Sequence, residues 1–285
     1  MPIDIDKLTA FTIPSASQVL TRTDIALYAL SVGMGQNPLD ADELAFVDPL
    51  QGPRALPSMV LVMAHPGFWM GDPASGIDPG AVLHATQAFQ ILAPLPQAGT
   101  VESRSRLAGV IDKGPGKPAL VLTETDLFDD TGTQFARLER TTFIRDGGGF
   151  GGSDTGRAPR VEMPATPPDH VLDLPTRPEQ ALLYRLNGDL NPLHSDPALA
   201  RELGFAAPIL HGLCTMGVVT RAVLGTLAGY DPARLRAVQV RFSSPVTPGD
   251  TIRTELWNDG HFRASVPARD ALVIDGGLAQ IARGA

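Results

Sequence analysis

Cysteine is almost absent: Cys214 is the only one in 285 residues, which excludes an internal disulfide framework and a cysteine-rich metal site. No apolar run approaches the ~18 residues of a membrane span. The first residues, Met1–Leu20, carry Asp4, Asp6 and Lys7 where a secretory signal would need an unbroken apolar stretch. Basic residues are in deficit, 23 against 31 acidic for a formal charge of −8, and no basic stripe forms, so nucleic acid and anionic membrane are not expected partners. A soluble, cytoplasmic protein is expected. Familiar cofactor motifs are missing too. Gly33-Met-Gly35 runs into Gln-Asn-Pro38 and lacks the third glycine of a dinucleotide fingerprint. Gly147 and Gly152 have phosphate-loop spacing, but Ser153-Asp154 stands where Lys-Ser/Thr should neutralise phosphate, so a flexible linker is expected there. The six histidines include no His-Glu-x-x-His, and no metal is expected. There is no Gly-x-Ser-x-Gly elbow, and Cys214 on an apolar helix reads as a buried structural thiol.

What is present is length enough for about two cores at ~150 residues each, and a repeat. Between Gly147 and Gln180 lie six glycines and six prolines in 34 residues, a composition expected of a linker. It separates a first unit, 1–146, from a second, 181–285. Leu27-Tyr-Ala-Leu30 and Asn37-Pro-Leu-Asp40 in the first are echoed by Leu183-Tyr-Arg-Leu186 and Asn191-Pro-Leu-His194 in the second. Ala93-Pro-Leu-Pro-Gln-Ala-Gly99 is likewise echoed by Ser244-Pro-Val-Thr-Pro-Gly249. Each unit reads as a helix plus several antiparallel strands, an α+β pattern. The second unit's helix is predicted over His211–Leu227, where Leu213, Met216, Gly217, Thr220, Leu224 and Leu227 recur at three- and four-residue steps. Its strands are predicted at Val238–Phe242, Thr251–Trp257, Phe262–Val266 and Leu272–Ile274. In the first unit strands are predicted at His84–Leu92, Val101–Ile111, Ala119–Phe128 and Phe135–Ile144, with a short helix near Ser58–His65 ending at Pro66.

The densest chemistry lies in Tyr184-Arg-Leu-Asn-Gly-Asp-Leu-Asn-Pro-Leu-His-Ser-Asp-Pro197, where Asp189, Asn191 and His194 fall within six residues. On a helix Asp189 and His194 would point ~140° apart, but Pro192 disfavours helix at Asn191, and a bent loop can bring both to one point. Asp196-Pro197 reads as an N-cap with proline at the first helical position, and Gly204 as the residue past the end, giving a short helix from Pro197 to Leu203. Asx turns at Asp189 and Asn191 would use the same residues without any catalysis. Downstream, Ala207-Pro-Ile-Leu-His211-Gly212 opens the long helix, whose first N–H groups have no intrahelical partner. Gly212 could present one of them to a ligand oxygen, or could be a glycine needed for packing at a helix start.

These two segments together resemble the signature of the MaoC-like, type 2 (R-specific) enoyl-CoA hydratases. The resemblance extends upstream: Leu83-His84-Ala-Thr-Gln87, Asp112-Lys-Gly114 and Thr141-Thr-Phe143 running into Gly148-Gly-Phe-Gly-Gly152 look like the first half of the two-repeat members. It implies a double hot-dog fold in which only the second repeat keeps the catalytic loop. Gly35 and Asp40 stand where Asp189 and His194 stand in the second copy, so the first copy is expected to shape the acyl pocket. One departure is His84-Ala-Thr-Gln87, where such proteins commonly carry His-Gly-Glu-Gln; His84 is not taken as catalytic.

The resemblance further implies reversible hydration of trans-2-enoyl-CoA to (3R)-3-hydroxyacyl-CoA. Asp189 and His194 would activate water, Asn191 would fix the loop or the water, and the Gly212 N–H would bind the thioester oxygen. No metal or redox cofactor is implied; coenzyme A arrives as part of the substrate, with Lys113 and Arg241 as candidates for its phosphates. A homodimer is expected. Alternatives remain: a 3-hydroxyacyl-thioester dehydratase acting on a carrier-bound or specialised chain, or a non-catalytic acyl-CoA-binding subunit. A hot-dog thioesterase would want a carboxylate on the long helix, and His211–Leu227 contains none.

Overall fold

A computed structural model of the chain describes residues 1–152 and 160–283; Ser153 and Asp154 lie outside the described residues. Its frame is one antiparallel sheet. Five strands come from the first half, β1 (Ala16–Leu20), β2 (Val82–Ile91), β3 (Gly99–Asp112), β4 (Ala119–Phe128) and β5 (Gln134–Ile144). Five come from the second, β6 (His170–Pro175), β7 (Leu235–Arg241), β8 (Thr251–Leu256), β9 (His261–Val266) and β10 (Ala271–Ile281). The spatial order is β1-β3-β4-β5-β2-β7-β10-β9-β8-β6. Each strand of the second half occupies the mirror-ordered place of the strand five earlier, so the repeat in the sequence is a repeat in topology. The halves are joined where β2 pairs β7, Thr86 opposite Arg241 through Gln90 opposite Ala237.

Six α-helices are present among the described residues: α1 (Ile5–Ala10), α2 (Arg22–Ser31), α3 (Ala41–Val47), α4 (Gln180–Tyr184), α5 (Pro197–Glu202) and α6 (Gly212–Ala228). The sheet wraps α6, which is buried from Leu213 through Leu224. Its apolar stripe is therefore core, as the periodicity predicts, and Cys214 sits in it with its Sγ toward the Ser31 carbonyl at 3.5 Å. Burial pushes that thiol well above its ordinary pKa. The expected first-half helix at Ser58–His65 is instead a 3-10 turn, Pro57–Leu61, running into a turn at Ala64. Ala64 takes a left-handed φ of 45° and Pro66 follows, so no α-helix can propagate.

The repeated Leu-Tyr-x-Leu strings place Tyr28 on α2 and Tyr184 at the end of α4, both fully buried, with ring centroids 6.2 Å apart. A second tie is the buried ion pair of Arg221 on α6 with Glu43 on α3, Nε to Oε1 at 2.6 Å, while Glu43 Oε2 accepts from the Gly35 N–H at 2.9 Å.

The segment 147–180, expected as linker, is only partly connection, because His170–Pro175 pairs with β8 along its whole length. That strand escapes sequence reading because it lies on the sheet edge and exposes alternate residues. The glycine run also has a definite partner. Asp112 Oδ1 accepts from Gly114 N (2.8 Å) and Gly149 N (2.7 Å), and Oδ2 from Gly151 N (2.9 Å) and Gly152 N (3.1 Å). These bonds, that from Gly149 foremost, hold the carboxyl below its usual pKa. The run is thus an anion nest filled by the chain's own carboxylate, and a Cβ at Gly148 would stand 2.6 Å from the Gly114 carbonyl oxygen.

Candidate active site

The loop between α4 and α5 folds by local rules. Gly188 takes φ +111°, a conformation open chiefly to glycine. Asp189 Oδ1 then accepts from Asn191 N at 3.2 Å, and Asn191 Oδ1 caps the 3-10 turn Pro192–His194 by accepting from Leu193 N at 3.0 Å. Beyond it, Asp196 caps α5 and Gly204 closes it in a Schellman arrangement, Phe205 N to Ala200 O at 2.9 Å and Gly204 N to Arg201 O at 3.0 Å. The Asx-turn geometry is therefore real, and it coexists with a functional-looking cluster, because it spends one carboxylate oxygen of Asp189 and leaves the other.

Asp189, His194 and His211 converge: their ligand-type atoms lie within 4.8 Å of one another. His194 Nδ1 lies 2.8 Å from the Ile209 carbonyl and His211 Nε2 lies 3.2 Å from the Asp189 carbonyl. A carbonyl only accepts, so each of these nitrogens carries the proton, which leaves His194 Nε2 and His211 Nδ1 with lone pairs. His211 Nδ1 is buried without a partner. The two imidazoles stack with centroids 3.7 Å apart and planes at 28°. Burial, then the neighbouring His194, takes His211 down to about 4; burial likewise lowers His194. Burial opposes ionisation of Asp189, but the imidazole of His211, the Asn191 N–H and the imidazole of His194 outweigh it and hold the carboxyl below its usual range. Near neutral pH the cluster is one carboxylate and two neutral imidazoles.

Such a set could hold a cation, since tetrahedral zinc takes nitrogen ligands at about 2.0–2.1 Å and the three ligand atoms lie within 4.8 Å of one another; the same groups can equally hold a water or a substrate oxygen.

Gly212 is the first residue of α6, and among the described residues its N–H has no acceptor. Its φ is not left-handed and an added Cβ would meet only the Phe242 ring, at 3.5 Å. A side chain there would be in ordinary contact with that ring. Asn191 is exposed and its side-chain oxygen is spent on the turn, so of its two expected roles the structure shows loop fixation. His84 packs on Phe242 with centroids 4.8 Å apart.

The two candidates for coenzyme A phosphates fare differently from the loop. Arg241 is ion-paired to Asp275, which also holds Arg160 at 2.5 Å, so it is not a free cation; Asp275 lies 34 residues further along the chain and could not have been paired with it from spacing. Lys113 follows β3, with β4 and β5 standing between that strand and β2, and the structure does not bring it to the cluster.

Sequence reasoning quoted His211 in a motif but gave it no role. It missed His65 and Arg140 altogether; both feel the charge of Asp189, although they come from the other repeat and carry no local signal.

Comparison with known proteins bears on the fold and the family. Residues 160–269 match the family described as MaoC like domain, and residues 19–146 match the MFE-2 hydratase 2 N-terminal domain. The chain is 37% identical to 3-hydroxyacyl-thioester dehydratase Y of Mycobacterium tuberculosis, over 100% of both chains. It is 35% identical to the peroxisomal enoyl-CoA hydratase 2 of Arabidopsis thaliana, over 95% of this chain and 93% of that one. A crystal structure of a MaoC-like dehydratase from Phytophthora capsici superposes with a TM-score of 0.85 at 34% identity, over 99% of this chain and 100% of that one. The expected double hot-dog fold and the expected family both hold. With both repeats matched in order and the loop from Tyr184 to Asp196 folded around an Asp-His-His cluster, the chain belongs to the MaoC-like enoyl-CoA hydratase 2 family of hydro-lyases.

Proposed function

We propose that the chain catalyses the reversible hydration of a trans-2-enoyl-CoA to the (3R)-3-hydroxyacyl-CoA, with Asp189 and His194 activating the water. The observation that carries this reading is the convergence of an ionised carboxylate with a neutral imidazole whose tautomer is fixed by the Ile209 carbonyl. A water held by the free Asp189 oxygen and His194 Nε2 adds its oxygen to C3. Its proton passes to the Asp189–His194 pair, and a proton from that pair is delivered to C2, so one water is consumed and the protein is regenerated. The two groups share the proton as a pair. Charge that develops on the thioester oxygen is met by the Gly212 N–H at the positive end of α6. Asn191 holds the loop, and His211 supports Asp189 by donating to its carbonyl. Positioned acid–base groups supply roughly 10²–10⁴-fold and an oxyanion donor about 10²–10³-fold, so neither suffices alone.

No metal or redox cofactor takes part in this scheme. Lys113 stays a candidate for a coenzyme A phosphate, whereas Arg241 does not. The degenerate first repeat shapes the acyl pocket. Running the reaction toward dehydration is the second reading, favoured by the name of the mycobacterial relative; a carrier-bound or specialised chain is the substrate proposed for it. No helix among the described residues is long and apolar enough to cross a membrane. A cytoplasmic location and a homodimer complete the proposal; the plant relative is named peroxisomal, so cell fractionation and light scattering address these two points. The activity is tested by following the enoyl-thioester absorbance with crotonyl-CoA and a medium-chain trans-2-enoyl-CoA, coupling product to R-specific or S-specific dehydrogenase. Turnover coupled only to the R-specific enzyme is expected; S product, or no turnover of either chain, would overturn the reading.

A further inference from the structure

The two repeats differ most where each sheet should cover a helix. In the second repeat α6, 17 residues long, fills that place; in the first it is filled only by the five-residue turn Pro57–Leu61. The shortfall leaves a small cleft of about 50 Å³, partly open to solvent, over the inner face of β2–β5 and under the turn His65–Trp69. An alkyl-binding pocket should be lined by apolar side chains. This one is mixed: Trp69, Leu138 and four other apolar residues share it with six polar ones, among them His65, Gln87 and Arg140.

Arg140 is the only cation in that lining other than a titratable histidine, and no carboxylate lines the cleft. Among the described residues its guanidinium has no ion pair; its one hydrogen bond is a long one, Nε to Gln87 Oε1 at 3.4 Å. Gln87 is itself locked, its Nε2 donating at 3.1 Å to the carbonyls of both Ala88 and Glu139, so that its oxygen is turned to Arg140. The four N–H bonds on the two terminal nitrogens are therefore available in a semi-enclosed cleft. A guanidinium so placed matches a carboxylate in bidentate geometry. His65 stands beside it as a neutral imidazole, since burial and then Arg140 bring its pKa down to about 4. Gln87 lies three residues along β2 from His84, whose ring packs on Phe242, the side chain nearest Gly212, so the cleft adjoins the start of α6, and the charge of Asp189 is felt at His65 and Arg140.

We propose that this cleft selects enoyl-CoA substrates whose acyl chain ends in a carboxylate, with Arg140 as the specificity-determining residue and Gln87 orienting it. The inference rests on the hydratase reading above and adds the substrate class.

The test compares kcat/KM of wild type for glutaconyl-CoA and trans-2-hexenedioyl-CoA with that for the methyl-ended trans-2-pentenoyl-CoA and trans-2-hexenoyl-CoA. A hydrogen-bonded charge is worth roughly 10- to 100-fold, so the carboxylated chains should be preferred by that factor. In Arg140→Met the ratio should fall to one or below, and Arg140→Lys should keep part of it. Wild-type preference for the methyl-ended chains would overturn the proposal. So would an equal loss on both classes in Arg140→Met, which would mean that Arg140 acts through Asp189. If Arg140→Met does not fold, wild type alone decides, by comparing each ω-carboxylate with its methyl ester. Hydration of methyl-ended chains without carboxylate preference defeats this inference only, whereas hydration of neither class defeats the hydratase reading and this with it.

Discussion

Acidification from about pH 8 to about pH 5 should cost this protein stability through His211 in particular. The side chain is 1% exposed, stacked on His194, and able to donate only through Nε2, so the folded state holds it neutral down to about 4 against 6.5 in an unfolded chain. Between those values the unfolded chain binds a proton that the folded chain refuses. Stability therefore rises with pH in this window: the contribution is complete above 6.5 and is lost as pH falls toward 4. At about pH 5 the loss worked from those two values is on the order of 2 kcal/mol. Urea unfolding of wild type and His211→Gln at both pH values isolates it, because glutamine keeps a donor for the Asp189 carbonyl and removes the titration. Wild type should lose about 2 kcal/mol more than the variant on going to the lower pH. Parallel losses in the two proteins would refute the reasoning. A kinetic counterpart is expected: with His194 also lowered by burial, kcat/KM should hold level around neutrality and fall only on the acid side of 6.5.

Other consequences follow from particular contacts. Arg221→Met should destabilise by about 3–5 kcal/mol, because Glu43, 4% exposed at the side chain, is left as an unpaired buried charge. The double variant Glu43→Leu/Arg221→Met should recover most of that loss, and additive losses in a urea double-mutant cycle would contradict the pairing. Asp112→Ala leaves the N–H groups of Gly114, Gly149, Gly151 and Gly152 without their acceptor, so amide exchange across 147–152 should accelerate, and unchanged exchange would show that the nest does not anchor the run. Dialysis against a strong chelator should leave hydration unaffected, since the proposed scheme runs on water and the Asp189–His194 pair alone; loss restored by a divalent ion would assign the cluster to a metal.

The sequence reveals structure here wherever a local rule or a repeat carries the information. Strand β4 falls at Ala119–Phe128 as predicted, α6 begins and ends within a residue of its predicted bounds, and the Asp196 cap and Gly204 stop are where their chemistry places them. Strand β6 goes unread because an edge strand exposed on one side has little hydrophobic pattern to show. The helix expected at Ser58–His65 fails because apolar spacing alone does not distinguish an α-helix from a buried 3-10 turn; the left-handed Ala64 is invisible in composition. In the site, Asp189, Asn191 and His194 are legible because one loop holds them. His211 is half-legible, being next to Gly212 in a motif yet reaching Asp189 only through the fold. Arg140 and His65 are contributed by the other repeat, and nothing short of the tertiary structure places them beside Asp189. Arg241 shows the converse error: a cation chosen from sequence turns out to be matched by Asp275.

The measurement that bears most directly on the account is hydration of crotonyl-CoA and of a carboxylate-ended enoyl-CoA by wild type, Asp189→Asn and His194→Gln, with near-ultraviolet dichroism to certify that each variant is folded. The account predicts R product from wild type and a fall of roughly 10²–10⁴-fold in kcat for each variant on both substrates. Well-folded Asp189→Asn or His194→Gln that hydrates either substrate at the wild-type rate would contradict it.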